Sequence, residues 1–325
     1  MKPTVLDSAT AALLRKQAEA GLALVETLGI AEARQGFAKA RENCAINAGL
    51  SLRTVDVDAS EDGRSVPVRL YYPREASGGE APALIFFHGG GWVVGDIASY
   101  DDFCRGIAFA SGNCVISVGY RLAPEHKFPA AIDDATIAIK WLFHHSKRLG
   151  IDPNRIAVGG DSSGGNIAAV SAILARDGDL PTLRFQVLIY PATDLRMTSR
   201  SYDIAIPNLR VTGKTMRWFR GLYLDTEDAQ LDWRASPLLS PDLGGVAPAY
   251  ILTVGGDPLM DEGIAYANRL REHSVDVQHK HYFDQIHGFL TLGNLVPKAA
   301  AARKEISDAL GAALRSTNDD GRICP

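Results

Sequence analysis

The pattern of apolar and polar positions changes twice along the chain. Residues 8 to 47 carry apolar side chains at helical spacing, as in ATAALLRKQAEAGLALVETL, which predicts one or two amphipathic helices. From Leu50 the segments SLRTVDVDAS and SVPVRLYYP alternate apolar and polar residues, with turn-forming residues at 61–64 between them. This part of the chain predicts a β-hairpin.

From residue 82 onward, short apolar runs alternate with helix-like stretches. Such alternation favours an α/β fold with a mostly parallel central sheet and helices on both faces. The predicted strands lie at 83–88, 114–120, 155–160, 185–191, 249–256 and 275–283, and the predicted helices at 99–111, 129–149, 163–178, 261–273 and 297–315.

Residues 195–247 interrupt this alternation. The stretch is too long for a simple crossover, and five of its residues form an apolar helical face: Met216, Trp218, Phe219, Leu222 and Tyr223. It predicts an insertion above the sheet that forms a lid over a pocket together with the N-terminal helices. We therefore expect an N-terminal helical cap segment at 1–50, core residues at 51–194 and 248–325, and inserted cap helices at 195–247. The polar tail STNDDGR is predicted to be disordered.

Composition narrows the class of protein. The chain has 325 residues, 46% of them hydrophobic, and a net charge of -4. A chain of this length buries roughly 75% of its unfolded surface, so its core needs neither disulfides nor metals. The charge argues against nucleic acid and anionic membranes as main partners. No apolar run approaches the ~20 residues of a membrane span. The first residues show no signal peptide, so we expect a cytoplasmic protein.

The cysteines give no sign of a redox or metal site. Cys44, Cys104, Cys114 and Cys324 form no CxxC pair, and we expect reduced, mostly buried thiols. The cysteines and histidines also show no cluster with zinc spacing, so we predict no metal and no organic cofactor.

The strongest chemical signal is GDSSGG at residues 160–165, between an apolar run and a helix-like segment. A strand followed by G-x-S-x-G and a helix is the context of a nucleophile elbow, in which glycines allow a sharp turn that exposes the serine hydroxyl. Ser162 is then the candidate nucleophile, and the following helix directs its N-terminal N–H groups at the site. The alternative is an ordinary glycine-rich β–α turn, for example one that binds phosphate.

A second motif, HGGGW at residues 88–92, follows the predicted strand ALIFF. Successive glycines let the backbone approach a ligand closely and turn its N–H groups inward. With the N–H of Ser163, this segment would complete an oxyanion hole. By itself such a triplet is more often a flexible loop, but two motifs of one reaction in the expected order favour catalysis.

A serine nucleophile needs a base and an orienting carboxylate. His287 follows the last predicted strand, and Asp257 directly follows the strand at 249–256. The order Ser162, Asp257, His287 is the one expected for α/β-hydrolases. Several competitors are assigned other roles: Asp261 to a helix start, His279 and His281 to structural positions in a strand, and His144 and His145 to a helix end, while His126 stays ambiguous.

Six motifs together resemble the hormone-sensitive lipase family of esterases, in its GDSAGG branch, the bacterial family IV type of the α/β-hydrolase superfamily. They span about residues 82 to 290 and are HGGGW (88–92), YRLAPEHKFPAAIDD (120–134), GDSSGG (160–165), YPATD (190–194), GGDPLMDEG (255–263) and HGF (287–289).

The resemblance implies an α/β-hydrolase fold with a helical cap. It implies that Ser162 is the nucleophile, Asp257 the acid and His287 the base, and that the N–H groups of Gly90, Gly91 and Ser163 form the oxyanion hole. His88 is expected to brace the oxyanion loop. Two residues depart from the family pattern: Ser163 replaces alanine and could compete for the nucleophile, and Met260 replaces arginine, which could weaken ion pairing near the acid.

The resemblance also favours a carboxylesterase that acts on short- to medium-chain acyl esters through an acyl-enzyme, rather than on long-chain triglycerides. An amidase, lactonase or deacetylase using the same triad is an alternative within this fold. A ligand-binding protein that has lost catalysis is a second alternative, although all three triad residues are present. The expected partner is a small-molecule ester. Dimers occur in this family, so a homodimer is also compatible with the sequence.

Overall fold

A computed structural model of the chain describes residues 5–45, 49–61, 63–73 and 80–315. Eight strands occur among these residues, and all of them belong to one sheet. They are β1 (Arg53–Glu61), β2 (Arg64–Tyr72), β3 (Ala81–Phe87), β4 (Cys114–Val118), β5 (Ile151–Asp161), β6 (Phe185–Ile189), β7 (Ala249–Gly256) and β8 (Val277–Ile286).

The strand order in the sheet is β1-β2-β4-β3-β5-β6-β7-β8. β1 and β2 form the predicted antiparallel hairpin, and β2 pairs antiparallel with β4. All other neighbours are parallel. The prediction of a mostly parallel α/β sheet is confirmed.

Helices cover both faces of the sheet. The α-helices of the described residues are α1 (Ser8–Glu19), α2 (Ile30–Glu42), α3 (Asp101–Ser111), α4 (Ala130–Leu149), α5 (Ser163–Asp177), α6 (Gly213–Tyr223), α7 (Met260–Glu272) and α8 (Lys298–Ala313). Helices α4, α5 and α7 share one hydrophobic core with the sheet, and α3 and α8 share the other.

Strand β3 shows how the two cores are built. Ile85 and Phe87 belong to the core on the α5 side, whereas Leu84 and Phe86 belong to the core on the α3 side. Successive side chains of a strand point to opposite faces of a sheet. A strand covered on both faces therefore needs apolar residues at every position, which explains its unbroken apolar run.

Two predicted strands end two residues earlier than expected. β4 ends at Val118 and β6 at Ile189, so Tyr120 and Tyr190 lie in the loops that follow. Both tyrosines are nevertheless buried. Their apolar character reflects packing in these loops rather than strand pairing, and the sequence pattern does not separate the two causes.

The N-terminal helices and the inserted segment contact each other. The Arg210 guanidinium donates hydrogen bonds to the carbonyls of Leu22 and Ala23, and the Thr215 hydroxyl donates to the Glu26 carboxylate at 3.1 Å. These contacts fit one cap made from two segments, although the boundaries at 1–50 and 195–247 stay a prediction.

The sequence predictions for three cysteines can be compared with the structure. Cys44, Cys104 and Cys114 are buried free thiols. Cys324, the tail STNDDGR, Asp62 of the hairpin turn and the end of the first predicted helical region lie outside the described residues. No helix in the described ranges is long and apolar enough to cross a membrane.

Candidate active site

The candidate residues all follow parallel strands at one edge of the sheet. The glycine triplet begins two residues after β3, Ser162 follows β5, Asp257 follows β7 and His287 follows β8. The carboxyl ends of parallel strands meet at the same edge, which is where open α/β sheets bind their ligands. The topology therefore brings together residues that are far apart in sequence.

The turn between β5 and α5 has the geometry of a nucleophile elbow. Ser162 has φ 56° and ψ -117°, a positive φ that residues other than glycine rarely adopt. A Cβ at Gly160 would lie 2.6 Å from the Phe87 carbonyl oxygen, and a Cβ at Gly164 would overlap the same oxygen. Only glycines at these two positions let the elbow pack against the end of β3.

A chain of hydrogen bonds joins Ser162, His287 and Asp257. His287 Nε2 lies 2.9 Å from Ser162 Oγ, and His287 Nδ1 lies 2.8 Å from Asp257 Oδ2. The other oxygen of Asp257 accepts the Leu259 N–H at 2.8 Å, and the carboxylate is fully buried. If Nδ1–H donates to this carboxylate, Nε2 is left to accept the serine proton.

The competing residues occupy structural positions. Asp261 lies in the first turn of α7 and accepts the Ser201 N–H at 2.9 Å. His279 and His281 both hydrogen-bond the Thr253 hydroxyl across the β7–β8 pair, at 2.8 and 2.9 Å.

The other three competing histidines have partners or surroundings outside the Ser162–His287–Asp257 chain. His144 pairs with Glu61 at 2.7 Å near the end of α4, and His145 contacts the Trp141 carbonyl of the same helix. His126 lines a cavity of about 370 Å³ between α2 and the loops after β3 and β4.

Three backbone N–H groups of the elbow and the glycine loop are candidates for the oxyanion hole. Ser163 is the first residue of α5, where N–H groups have no partner within the helix. The Gly89 N–H is already bound to Asp161 at 2.7 Å. Within the described ranges, the N–H groups of Gly90 and Gly91 have no acceptor, and both glycines have positive φ.

Asp161 is a component that sequence analysis did not assign. Its buried carboxylate accepts the Gly89 N–H and, at 2.9 Å, the Tyr100 hydroxyl. Burial raises the pKa of this carboxyl group above its ordinary value. Because Asp161 precedes Ser162 and binds Gly89, it links the elbow directly to the glycine loop. Its place inside the GDSSGG motif was the available signal.

His88 lies behind the glycine loop. Its ring stacks on Tyr120 with centroids 4.3 Å apart, and its Nδ1 lies 2.9 Å from the Gly89 carbonyl oxygen. Burial lowers the pKa of His88 to about 4, so the ring is neutral near pH 7. This environment agrees with a bracing role.

Helix α6 covers the glycine loop from the cap side. A Cβ at Gly91 would overlap the Phe219 ring, so this ring lies directly against the glycine. Trp92 stacks on Tyr223 with centroids 4.3 Å apart and planes within 4°. Met216, Phe219 and Tyr223 are buried, and Trp218 and Leu222 are partly buried against the same core, so all five residues of the predicted apolar face contact it.

The two departures from the family pattern leave the hydrogen-bond chain intact. Ser163 is buried and its hydroxyl lies near the Tyr120 phenol, where it partly offsets the rise that burial causes in the pKa of Tyr120. The Ser162 hydroxyl is paired with His287 instead. Met260 is the first residue of α7, three residues beyond Asp257.

Comparison with known proteins shows the family of the chain. A family model described as alpha/beta hydrolase fold matches residues 84–291. The chain belongs to this hydrolase family, in its hormone-sensitive lipase-like group. It is 42% identical to the carboxylic ester hydrolase LipN of Mycobacterium tuberculosis over 77% of this chain and 67% of that protein. It is 40% identical to an ethyl acetate hydrolase of Pseudomonas putida, over 77% and 80% of the two chains.

Solved structures of esterases share the fold. An ester hydrolase from the metagenome of Lake Arreo, complexed with a bipyridine phosphonate derivative, is 37% identical with a TM-score of 0.90, covering 95% of this chain and 99% of that one. An esterase from Pyrobaculum calidifontis is 34% identical with a TM-score of 0.88, covering 96% and 100%. The chain is thus a member of the carboxylic ester hydrolases.

Proposed function

We propose that this hydrolase cleaves short- to medium-chain acyl esters through an acyl-enzyme on Ser162. The observation that supports the proposal is the hydrogen-bond chain from Ser162 through His287 to the buried Asp257, at 2.9 and 2.8 Å. A hydroxyl in contact with an imidazole that a carboxylate orients is the arrangement of an activated serine nucleophile.

The proposed reaction has two halves. Ser162 Oγ attacks the ester carbonyl carbon while its proton passes to His287 Nε2, and the oxyanion accepts hydrogen bonds from Gly90, Gly91 and Ser163. The alcohol leaves with the proton from His287, and the acyl group stays on Ser162. Water then attacks the acyl-enzyme, giving its proton to His287, and the carboxylic acid leaves as Ser162 regains a proton. No metal or organic cofactor takes part.

Substrate size is argued from the cap. Phe219 lies against Gly91, so an aromatic wall closes the space above one proposed oxyanion donor. An apolar wall close to the reacting carbonyl suits small uncharged acyl groups. The name of the ethyl acetate hydrolase relative supports the short end of this range.

The test is hydrolysis of p-nitrophenyl esters from acetate to palmitate by wild type, Ser162→Ala and a matched control, Ser171→Ala. Ser171 lies on α5 and hydrogen-bonds the Ile167 carbonyl, away from the elbow. We expect rates that peak at short or medium chains, a loss of about 10⁴-fold or more in Ser162→Ala, and little change in Ser171→Ala.

Other outcomes would redirect the proposal. Full activity in Ser162→Ala would refute the nucleophile assignment. If wild type and Ser162→Ala were equally inert, p-nitroanilides and lactones would be assayed next, since an amidase or lactonase would act on them and a binding protein would not. The cytoplasmic location and the homodimer stay predictions, which cell fractionation and light scattering test.

A further inference from the structure

Arg34, on α2, contacts two loops of the core at once. Its Nε donates to the Val93 carbonyl at 2.9 Å, and its Nη2 donates to the Ala123 carbonyl at 3.0 Å. The same guanidinium forms a bidentate salt bridge with the Glu125 carboxylate, with N–O distances of 2.9 and 2.6 Å. A planar guanidinium donates in several fixed directions, which a lysine ammonium cannot reproduce.

The Val93 and Ala123 carbonyls belong to the two loops that hold the glycine triplet in place. The N–H groups of Val93 and Val94 donate to the Gly90 carbonyl at 3.1 and 3.0 Å, which closes a turn over Gly91 and Trp92. The Ala123 N–H donates to the Trp92 carbonyl at 2.8 Å. Arg34 therefore binds the end of the turn that carries the Gly90 and Gly91 N–H groups, and also the loop that supports this turn.

The ion pair with Glu125 does not explain this arrangement by itself. The Glu125 side chain is 54% exposed, and exposed ion pairs contribute little to stability. Charge-assisted hydrogen bonds from a partly buried arginine to backbone carbonyls are stronger and directional. The arginine side chain is 32% exposed, which fits a guanidinium that binds the carbonyls on its buried edge and Glu125 on its exposed edge.

We propose that Arg34 is a positioning residue for the oxyanion hole. It fixes the Gly90–Val94 turn through the Val93 carbonyl, so that the packing of α2 against the core determines the positions of the Gly90 and Gly91 N–H groups. This inference rests on the proposed function, because it assumes that Gly90 and Gly91 bind the oxyanion. It assigns a cap residue to transition-state stabilisation, although Arg34 itself touches no reacting atom.

The test compares Arg34→Met and Arg34→Lys with Arg155→Met as the matched control. Arg155 also joins a carboxylate and a carbonyl, Asp152 at 2.6 Å and Glu80 at 2.7 Å, but at the amino end of β5, away from the site. With p-nitrophenyl butyrate we expect kcat/KM to fall about 10- to 100-fold in Arg34→Met with KM nearly unchanged, because small misplacements of catalytic groups have effects of this size. Arg34→Lys, which reaches one carbonyl, should lie between wild type and Arg34→Met.

Two further measurements separate positioning from general loosening. A trifluoromethyl ketone forms a hemiketal oxyanion on the serine, so its Ki should rise in parallel with the fall in kcat/KM. Glu125→Gln leaves both carbonyl contacts in place and should change kcat/KM less than about threefold.

The outcomes distinguish this inference from the proposed function. If Arg34→Met behaves like Arg155→Met while Ser162→Ala is inactive, the positioning role is wrong and the nucleophile assignment stands. The size of the p-nitrophenol burst counts the active sites. If kcat/KM fell only in proportion to a smaller burst while the Ki of the ketone stayed normal, the variant would contain fewer folded sites, and the positioning role of Arg34 would be refuted. Activity retained in Ser162→Ala would refute the proposed function itself.

Discussion

The two sides of the candidate site are held together by different kinds of contact. On the core side, backbone packs on backbone: a Cβ at Gly164 would overlap the Phe87 carbonyl oxygen, and a Cβ at Gly89 would lie 2.9 Å from the Asp161 carbonyl oxygen. On the cap side, long side chains reach across: Arg34 binds the Val93 carbonyl, and Phe219 covers Gly91.

This difference indicates which side can move. Backbone contacts at glycines leave no room for adjustment, so the elbow keeps one geometry as long as the sheet is folded. Side-chain contacts can be broken one at a time at a small free-energy cost, as in segments that open locally. We therefore expect the proposed cap to admit substrate without disturbing the hydrogen bonds of Ser162, His287 and Asp257, provided that contacts such as those of Arg34 form again.

The largest expected effect comes from adding one methyl group on the core side. Gly164→Ala places a Cβ into the Phe87 carbonyl, and neither backbone segment can give way. We expect the free energy of unfolding to fall by ~4 kcal/mol or more, or the variant not to fold. Urea denaturation followed by circular dichroism measures this.

The matched control on the cap side is Gly221→Ala. Gly221 is exposed on α6, and a Cβ there meets nothing within 4 Å. Alanine should stabilise the helix by about 0.5–1 kcal/mol. Equal effects of the two substitutions would contradict the distinction between a rigid core side and an adaptable cap side.

The same difference explains what the sequence could predict. The elbow is contiguous: strand, Gly160, Ser162, Gly164 and helix follow one another, so local pattern identifies it. Asp257 and His287 were predicted because each follows a predicted strand, and parallel strands share an edge. The parallel sheet with a core on each face follows from unbroken apolar runs between helices.

The contacts across the cap were not predictable in this way. Arg34 and Val93 are 59 positions apart, and an arginine on an amphipathic helix is usually a solvated side chain. The same holds for one contact on the core side, between Asp161 and Gly89, which spans 72 positions. Such pairs depend on tertiary packing, and neither partner carries a local pattern that identifies the other.

A second prediction concerns Glu262, where the inserted segment leaves the core. Its buried carboxyl group accepts the Thr193 and Asp194 N–H groups at 2.7 and 3.2 Å and the Tyr202 hydroxyl at 2.8 Å. Burial raises the pKa of Glu262 to about 8, from an ordinary value of 4.5. Between these pH values the folded protein keeps a proton that the unfolded chain releases, so this group lowers stability as pH rises.

Glu262→Gln should remove this dependence, because the amide oxygen can still accept both N–H groups and the amide nitrogen can donate to Tyr202. Urea denaturation at pH 5, 6.5 and 8 measures the free energy of unfolding. Relative to wild type, this free energy should increase in the variant as pH rises, by at most about 1.4 kcal/mol per pH unit. Glu227→Gln, at a side chain that is 80% exposed, is the control, and its free energy of unfolding should change with pH as that of wild type does. Parallel curves for Glu262→Gln would show that the buried carboxyl does not hold its proton.

The smallest expected effect lies within the cap. Arg210→Met removes the hydrogen bonds to the Leu22 and Ala23 carbonyls. The loss of about 1 kcal/mol of local stability should raise hydrogen exchange of residues 20–29 roughly fivefold, while kcat/KM for p-nitrophenyl butyrate changes less than about threefold. Arg217→Met, at an exposed position on α6, should leave exchange unchanged.

Arg210 and Arg34 make similar contacts, each binding two backbone carbonyls, but only Arg34 binds the core loop that carries the glycine triplet. If Arg210→Met lowered kcat/KM as strongly as Arg34→Met, the two cap segments would act on the glycine loop as one unit. The boundary between the rigid and the adaptable region would then lie at the Arg34 contacts themselves, not between α6 and the N-terminal helices.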